Sequence, residues 1–343
     1  MSGSQERYSR QLLLPGIGPL GQQALGQATA VIVGLGALGT SSAGWLARAG
    51  VGRLRLIDRD LVEWSNLQRQ VLFVESDARD GVPKAVAAAR ELGRANSEIA
   101  LEVEVADLTA ANIDRLCGGA AVVVDGTDNF ETRFLINEWS VREAVPWIYG
   151  AAVGTYGLTL SIQPGNSACL ACVFESAPPP EQSPTCDTVG VLGPLTGAIG
   201  ALQAAEALKF LAGRPAAASR SLTAIDLETG HLQRVEVERR AGEACTVCGR
   251  HEFPHLEGRA GSRAARLCGR QAVQISRDDA TPIDLERIVA RLSPLGAVSR
   301  NEWLVRAHIE GYDLTIFADG RTLVSGTSDP AVARSLVARF VGA

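Results

Sequence analysis

Strand-like and helix-like hydrophobic patterns alternate through the first 150 residues of the chain. Ala30–Val33 and Arg53–Ile57 are short apolar runs typical of strands, and the segment Ala37–Ala49 between them has a helical pattern of small residues. The alternation continues with four predicted elements: a helix at Pro83–Asn96, a strand at Ala100–Val105, a helix at Thr109–Leu116 and a strand at Ala121–Val124. Strands and helices that take turns in this way predict a parallel, doubly wound sheet.

The hydrophobic pattern changes after Tyr149. Residues Thr155–Gln163 alternate apolar and polar side chains, as a strand with one buried face does. A long helical pattern follows at Pro194–Ala212, and two strand-like runs then flank the turn Glu228–Gly230. We therefore expect an antiparallel extension of the sheet in this part of the chain.

Residues 251–264 mix proline, glycine and charge without a period, which is typical of a linker. Residues 265–343 then carry their own strand and helix patterns. The fold class predicted is α/β, with a Rossmann-like, doubly wound, mainly parallel sheet in residues 1–250 and a small α+β domain in residues 265–343. The elements predicted for that domain are strands at Ala272–Ser276, Trp303–Arg306 and Asp313–Phe317, and helices at Ile283–Leu292 and Pro330–Phe340.

Composition limits the classes of function that fit the chain. Hydrophobic residues make up 46% and charged residues 21%, and the formal net charge is −5. No overall positive field would attract nucleic acid or an anionic membrane. The polar N-terminus, Met1–Tyr8, has no signal-peptide pattern, and no apolar run is long enough to cross a bilayer. We therefore expect a cytoplasmic protein that binds neither nucleic acid nor membrane.

A glycine-rich turn directly follows the first predicted strand. Gly34, Gly36 and Gly39 have the spacing of a nucleotide-binding loop, in which the turn, the approach to a phosphate and the close packing of helix on strand each require a glycine. Asp58 ends the second strand, where a carboxylate can bind ribose hydroxyls. This pattern alone fits a dinucleotide as well as a mononucleotide, so an NAD-dependent oxidoreductase is one alternative.

Charged and amide side chains after Asp58 favour a triphosphate. Asn66, Arg69 and Lys84 supply the neutral and cationic donors that β- and γ-phosphates require. Asp128 follows the last parallel strand at the predicted ligand crevice, where a carboxylate facing phosphates implies Mg²⁺ between them. The alternative for Asp128 is that it caps the helix that begins near Asn129.

The seven cysteines divide into two pairs and three single residues. Cys169 with Cys172, and Cys245 with Cys248, form two knuckles with the spacing of a tetrahedral zinc site, and four thiolates predict a structural Zn²⁺. Cys186 lies beyond a proline-rich segment in a polar loop, where it is either a reactive thiol or a passive one.

Six motifs in fixed order resemble those of the MoeB/ThiF family, adenylyltransferases related to the activating enzymes of ubiquitin. The resemblance covers about residues 5–250 and implies that the chain binds ATP. The motifs are Arg7–Leu12, Gly34–Gly39, Leu56–Asp60, Ser65–Gln70, Pro83–Lys84 and Thr127–Asn129.

The resemblance also implies residue roles. Asp58 would bind the ribose, Asp128 the Mg²⁺, and Arg10 the phosphates in a neighbouring subunit, so the active unit would be a homodimer. Ala37 departs from the bacterial molybdopterin enzyme of the family, which has glycine there, but the position acts through its backbone. The nucleotide site implied comprises Gly34, Gly36, Ala37, Gly39, Asp58, Asp60, Ser65, Asn66, Leu67, Gln68, Arg69, Lys84, Thr127, Asp128 and Asn129. The catalytic residues implied are Arg10, Arg69, Lys84 and Asp128 for adenylation, with Cys186 for a sulfur-transfer or thioester step that adenylation does not need.

The implied reaction is adenylation of the C-terminal glycine carboxylate of a ubiquitin-like (β-grasp) sulfur-carrier protein ending in Gly-Gly, with release of pyrophosphate. It would serve molybdopterin, thiamine or tRNA thiolation, with a sulfurtransferase or cysteine desulfurase as sulfur donor. In the thiamine branch, a cysteine at the position of Cys186 forms an acyl-disulfide with the carrier. The competing interpretations are the NAD-dependent oxidoreductase and a catalytically inactive, zinc-containing module that binds a carrier protein.

Overall fold

The computed structural model describes residues 6–174, 189–240, 242–259, 265–266, 272–275 and 283–341. The chain divides into two compact units, Met1–Ala260 and Gly261–Ala343. Among the helices of the described segments, none combines the length and the apolar character needed to span a bilayer.

The first unit is built on an eight-stranded sheet in the order β3-β2-β1-β4-β5-β6-β7-β8. Strands β1 to β5 pair in parallel, and β6, β7 and β8 extend the sheet in antiparallel fashion. The direction of winding reverses between β1 and β4, the place at which ligands bind in open α/β sheets. The strands are β1 (Thr29–Val33), β2 (Arg53–Ile57), β3 (Ala100–Glu104), β4 (Val122–Asp125), β5 (Trp147–Val153), β6 (Tyr156–Ile162), β7 (Ser221–Asp226) and β8 (His231–Glu236).

Helices cover the sheet, and short 3-10 turns interrupt the loops. The longest helix, α9, packs against α3, β5 and β6, and Gly200 permits this approach because a Cβ there would lie 2.6 Å from the Cβ of Ser41. The helices are α1 (Ser9–Leu12), α2 (Gly18–Gln27), α3 (Ala37–Ala49), α4 (Glu75–Asp80), α5 (Lys84–Ala95), α6 (Ile113–Cys117), α7 (Phe130–Glu143), α8 (Leu170–Val173) and α9 (Gly193–Leu211), and the 3-10 turns are Trp64–Asn66, Pro215–Ala217 and Gly242–Ala244.

The second unit is a six-stranded antiparallel sheet in the order β11-β12-β13-β14-β10-β9. Alternate side chains of β12 and β13 enter a core that also takes the apolar faces of α10 and α11. The elements are β9 (Ala265–Arg266), β10 (Ala272–Ile275), α10 (Leu285–Leu292), β11 (Ala297–Arg300), β12 (Leu304–Ile309), β13 (Tyr312–Phe317), β14 (Thr322–Ser325) and α11 (Pro330–Phe340). The predicted fold class, a mainly parallel sheet with an antiparallel extension and a small α+β domain, is confirmed.

Residues 251–259, which we predicted to begin a linker, pack against the first unit. The Glu138 carboxylate of α7 is 1% exposed and accepts hydrogen bonds from the backbone amides of His255 at 2.9 Å and Leu256 at 3.0 Å. The His255 ring lies 2.7 Å from the other Glu138 oxygen and stacks on Phe134. This stretch is therefore part of the first unit. The assignment of residues 1–250 to an adenylation domain and of residues 265–343 to a small C-terminal domain stays a prediction.

Candidate functional site

The glycine-rich loop lies at the point where the winding of the sheet reverses. Gly34 follows β1 with φ of 84°, a conformation that favours glycine. A Cβ on Gly39 would lie 1.9 Å from the Gly34 carbonyl oxygen, so the start of α3 packs on the turn as predicted for the third glycine. Gly36 differs, because a Cβ there would meet only the Gly126 carbonyl oxygen, at 3.7 Å. Space for a ligand therefore remains beside Gly36, where Ala37 opens α3.

Gly126 is a part of this loop that sequence reasoning did not single out. It follows β4, and a Cβ on it would lie 2.2 Å from the Gly34 carbonyl oxygen and 2.9 Å from the Gly39 Cα. The loops after β1 and β4 are therefore packed backbone on backbone. A glycine directly after a buried strand, in the position that Gly34 has after β1, was the signal that could have found it.

Asp58 joins the end of β2 to the same loop. Its buried carboxylate accepts the Leu35 amide at 2.6 Å and the Asp60 amide at 2.7 Å. Burial raises the pKa of the Asp58 carboxyl above its ordinary value, against the opposing effect of the Lys84 ammonium. A carboxylate has about four acceptor positions, so these two bonds leave capacity for ribose hydroxyls.

Lys84 begins α5 and is brought to the predicted acids. Its ammonium lies 3.0 Å from an Asp60 carboxylate oxygen, with the lysine side chain 9% exposed. Burial acts to lower the pKa of Lys84, but the carboxylates of Asp60, Asp58 and Asp128 outweigh it and leave the pKa raised. The structure thus places a permanently charged cation among three of the predicted carboxylates.

Asp128 is not the helix cap. The Asn129 side chain takes that role, since its oxygen accepts the Thr132 amide at 2.8 Å at the start of α7. The Asp128 side chain is exposed and acts electrostatically on Lys84 and Arg133. Asp128 is thus an exposed carboxylate in the crevice, while Asn129 caps the helix. Mg²⁺ beside phosphates is usually held by one or two carboxylates of this kind.

A buried ion pair supports the loop that carries Thr127 and Asp128. Arg133 donates to Asp125 at 3.2 Å, to the Thr127 carbonyl at 2.6 Å and to the Gly150 carbonyl at 3.0 Å. Asp125 also accepts the Thr127 amide at 2.9 Å and its hydroxyl at 2.6 Å. Sequence reasoning missed Asp125 and Arg133, whose spacing of eight residues carries no visible periodic signal.

The segment Ser65–Gln70 folds as a 3-10 turn and its continuation. Asn66 is buried and accepts the Glu63 amide at 3.0 Å, and Arg69 donates to the Ser65 carbonyl at 2.7 Å. The Gln68 carbonyl abuts the start of α9, where a Cβ on Gly193 would approach it to 3.0 Å. Part of this motif thus stabilises the local fold. Binding of phosphate by Asn66 and Arg69 stays a prediction, and so does nucleotide binding by Ser65, Leu67 and Gln68.

Two predicted residues remain, Arg10 and Cys186. Arg10 is exposed on the short helix α1, where its predicted target belongs to another subunit. Cys186 lies outside the described residues.

A second cation, Arg59, was missed by sequence reasoning. It directly follows Asp58, donates to the Asp107 carboxylate at 3.0 Å and lies 3.7 Å from Asp60. Burial opposes its charge, but Asp107, Asp60 and Asp128 together raise the pKa of Arg59. A basic residue between two acidic ones, in the sequence Asp58-Arg59-Asp60, was the signal that could have identified it.

The four predicted zinc ligands form one buried cluster. The Sγ atoms of Cys169, Cys172, Cys245 and Cys248 all lie within 4.8 Å of one another. The closest pairs are 3.8 Å for Cys169 with Cys172, 3.6 Å for Cys169 with Cys245 and 3.5 Å for Cys172 with Cys248. Four sulfurs at about 2.3 Å from a tetrahedral Zn²⁺ are about 3.8 Å apart, whereas a disulfide is about 2.05 Å long, so the cluster fits zinc.

Arg239 connects the two segments that carry the cysteine pairs. It donates to the Gly165 carbonyl at 3.0 Å and to the Cys248 carbonyl at 2.8 Å. A buried site with four protein ligands has no open position for substrate, which is the arrangement of structural zinc.

Comparison with known proteins agrees with this geometry. Residues 8–247 match the model of the ThiF family. The chain is 42% identical to the Bacillus subtilis "Sulfur carrier protein ThiS adenylyltransferase", over 98% of this chain and 99% of that protein. It is 38% identical to the Haloferax volcanii "SAMP-activating enzyme E1", over 74% of this chain and 92% of that protein. It is also 39% identical to the Sus scrofa "Adenylyltransferase and sulfurtransferase MOCS3", of which it spans 64%.

Solved structures give the same fold. The crystal structure of E. coli MccB with ATP is 26% identical, with a TM-score of 0.61 over 71% of this chain and 74% of that chain. The structure of MccB with MccA-N7isoASN is 27% identical, with a TM-score of 0.63 over 71% of this chain and 75% of that chain.

Proposed function

Because the chain belongs to the ThiF family, we propose that it adenylates the C-terminal glycine carboxylate of a ubiquitin-like sulfur-carrier protein. The observation that carries the proposal is the position of Lys84, a buried ammonium 3.0 Å from Asp60 at the crevice formed by the loops after β1, β2 and β4. Such a cation is suited to bind the phosphates of ATP, and the chemistry of a dehydrogenase does not require it.

The reaction is an in-line displacement at the α-phosphorus of ATP. A carboxylate oxygen of the carrier forms a bond to that phosphorus, and the bond from the α-phosphorus to the oxygen that bridges it to the β-phosphate breaks. Pyrophosphate leaves with the electron pair, and the carrier is left as an acyl-adenylate. The protein forms no covalent bond in this step, so positioning and charge neutralisation carry the rate.

Several of the predicted residues would act in this step. Asp58 would hold the ribose, while Lys84 and Arg69 would neutralise charge on the triphosphate. Gly36 leaves room for a phosphate beside the backbone amides that begin α3. Mg²⁺ held by Asp128 would add charge neutralisation between the carboxylate and the phosphates.

The second half of the proposal concerns the assembly. We place the protein in the cytoplasm as a homodimer in which Arg10 reaches the partner's triphosphate. Leu13 and Leu14, which follow α1, and Leu20 on α2 support an interface in the part of the chain that carries Arg10, because these residues are 72%, 53% and 81% exposed. The zinc held by the four cysteines has a structural role.

Cys186 belongs to a later step. We propose that its thiolate attacks the carbonyl carbon of the acyl-adenylate, so that a thioester with the carrier forms and AMP leaves with the electron pair of the broken carbon–oxygen bond. The terminal sulfur of a persulfide on a sulfurtransferase or cysteine desulfurase would then attack the thioester carbonyl and release the Cys186 thiolate. Cys186→Ser should then leave pyrophosphate exchange intact and abolish thiocarboxylate formation. Retained thiocarboxylate formation would remove Cys186 from the reaction.

The adenylation step is tested by exchange of labelled pyrophosphate into ATP with purified carrier proteins. Exchange should require a carrier with an intact Gly-Gly terminus. Lys84→Ala should lower the rate by about 10²–10³, the usual cost of losing one electrostatic contact in a transition state. Lys209→Ala serves as control, since that lysine pairs with Glu206 on α9. Reduction of NAD by the chain, or exchange that Lys84→Ala leaves unchanged, would refute the proposal.

A further inference from the structure

We infer that Arg59 is the platform on which the adenine base of ATP stacks, and that Asp107 holds its guanidinium in place. The inference rests on the proposed function for the identity of the nucleotide. It assigns the base-binding end of the crevice to residues outside the set predicted from sequence.

The strand order gives the crevice a direction. The glycine-rich loop lies between the ends of β1 and β4, and Asp58 at the end of β2 is bonded to the Leu35 amide of that loop. Arg59 reaches the other way, to Asp107 in the loop that follows β3. Because the order is β3-β2-β1-β4, Arg59 and the glycine-rich loop lie on opposite sides of Asp58. A nucleotide with phosphates at the loop and ribose at Asp58 therefore directs its base toward Arg59.

The contacts of Arg59 suit a flat ligand. Nη1 donates to Asp107 at 3.0 Å, Nε lies 3.7 Å from Asp60, and the side chain is 23% exposed. The Asp107 carboxylate accepts a hydrogen bond at the edge of the guanidinium and the Asp60 carboxylate forms an ion pair on its Nε side, so the guanidinium is held by its edge before any ligand binds. The flat face is the part of a guanidinium that stacks on aromatic rings and nucleobases. A fixed platform costs little conformational entropy when a base binds.

Arg59 and Lys84 interact with different acidic residues. Burial acts against the charge of Arg59, and Asp107 and then Asp60 contribute more than Asp128 to raising its pKa. For Lys84 the main carboxylates after burial are Asp60 and Asp58. The hydrogen bonds agree, since Lys84 donates to Asp60 after β2 and Arg59 donates to Asp107 beyond β3.

The experiment compares two ligands that differ in the presence of a nucleoside. Isothermal titration gives the Kd of Mg·ATP and of Mg·tripolyphosphate for the full-length protein. Arg59→Ala should raise the Kd of ATP about tenfold to a hundredfold, the range for losing one base stack, and leave that of tripolyphosphate unchanged. Arg59→Lys keeps the charge but loses the planar group, so it should show the same loss. Asp107→Asn should weaken ATP binding alone, and by less.

Arg115→Ala is the matched control. Arg115 pairs with Glu104 at the end of the same strand β3 and is 63% exposed, so both Kd values should stay at the wild-type level. An equal loss for both ligands in Arg59→Ala would make Arg59 a phosphate contact and overturn the inference. Full ATP affinity in Arg59→Lys would show that charge alone matters and would overturn it as well.

The stacking role of Arg59 and the proposed adenylation activity can fail independently of each other. If wild-type protein catalyses carrier-dependent exchange but Arg59→Ala binds ATP normally, only the stacking role fails. If no carrier supports exchange while ATP affinity still depends on Arg59 and tripolyphosphate affinity does not, the adenylation proposal fails and the base platform stands.

Discussion

Gly34 and Gly126 are packed so closely that a Cβ on Gly34 would lie 2.7 Å from the carbonyl carbon and oxygen of Gly126. The contact joins the loop after β1 to the loop after β4, which carries Asp128. The relative position of the glycine-rich turn and the predicted Mg²⁺ ligand is therefore set by two backbones with no side chain between them.

Gly126→Ala should separate the two loops. The added methyl would meet the Gly34 carbonyl oxygen at 2.2 Å, so we expect a loss of about 1–3 kcal/mol in the free energy of unfolding together with a loss of ATP affinity. Gly36→Ala is the contrasting variant, since its methyl has space in the protein but stands where a phosphate is expected. It should lose ATP affinity at a stability cost below about 1 kcal/mol. Denaturant melts and ATP titration measure both, and equal destabilisation of the two variants would contradict this packing.

Variants of the neighbours Asp128 and Asn129 should differ in effect, the first on catalysis and the second on stability. Asp128→Ala should abolish pyrophosphate exchange with an unchanged melting curve, because the side chain is exposed and does not cap α7. Asn129→Ala should lower the free energy of unfolding by about 1 kcal/mol through loss of the cap. Full exchange activity in Asp128→Ala would remove this residue from the reaction.

Mixing two inactive variants tests the homodimer. If Arg10 acts in the partner's site, Arg10→Ala and Asp128→Ala inactivate through different subunits. Random reassociation of equal amounts should then restore about a quarter of wild-type exchange, because half of the dimers are mixed and each of these has one intact site. Activity that stays at the level of the separate variants would place Arg10 and Asp128 in one subunit's site.

Removing the zinc should destabilise the first unit. The four cysteines connect the segment after β6 to the segment after β8, so chelation or Cys245→Ser should lower Tm by about 10 °C or more. Cys117→Ala is the control, because that buried thiol is not one of the four clustered ligands and its loss should leave the metal content unchanged. Metal analysis and thermal melts check the result; an unchanged Tm after stripping would exclude a structural role.

Glu102 on β3 should contribute stability that depends on pH. Hydrogen bonds from Arg53 and Arg55 on β2 hold the pKa of Glu102 below its ordinary value. The contribution is therefore present above the unfolded pKa of about 4.3 and is lost as the pH falls through the lower folded value. Glu102→Gln should cost less than about 1 kcal/mol at pH 7, and the difference from wild type should vanish in acid.

Glu91→Gln, which breaks a pair with the 71% exposed Arg94, is the control and should change stability little at either pH. Denaturant melts at the two pH values measure both variants. A constant difference between wild type and Glu102→Gln down to pH 3 would show that the two arginines do not stabilise the ionised carboxylate.

How well the sequence predicts an element depends on whether its own residues define it. Helix α3 was predicted with the bounds observed, since glycine stands at both ends and Gly50 closes it with φ of 81°. Helix α2 was missed because only Gly21 and Leu25 are buried, which leaves no periodic signal. Strand β5 was missed because Gly150 and its alanine neighbours form strands poorly, and pairing with β4 and β6 on both sides holds them extended.

The same distinction applies to the site. Asp58, Asp60, Lys84 and the four cysteines were predictable, because their charge or spacing is visible along the chain. Arg133 was not, since its role exists only through contacts with Asp125 and with the carbonyls of Thr127 and Gly150. No local pattern records which distant backbone a residue will meet.

Helix α7 carries Asn129 as its N-cap and Glu138 nine residues later, about 14 Å along a helix axis. Glu138 is also the residue that fastens 251–259, the last described stretch before the second unit. The helix that anchors residues 251–259 at Glu138 is therefore the same helix that begins directly after Asp128 and Asn129.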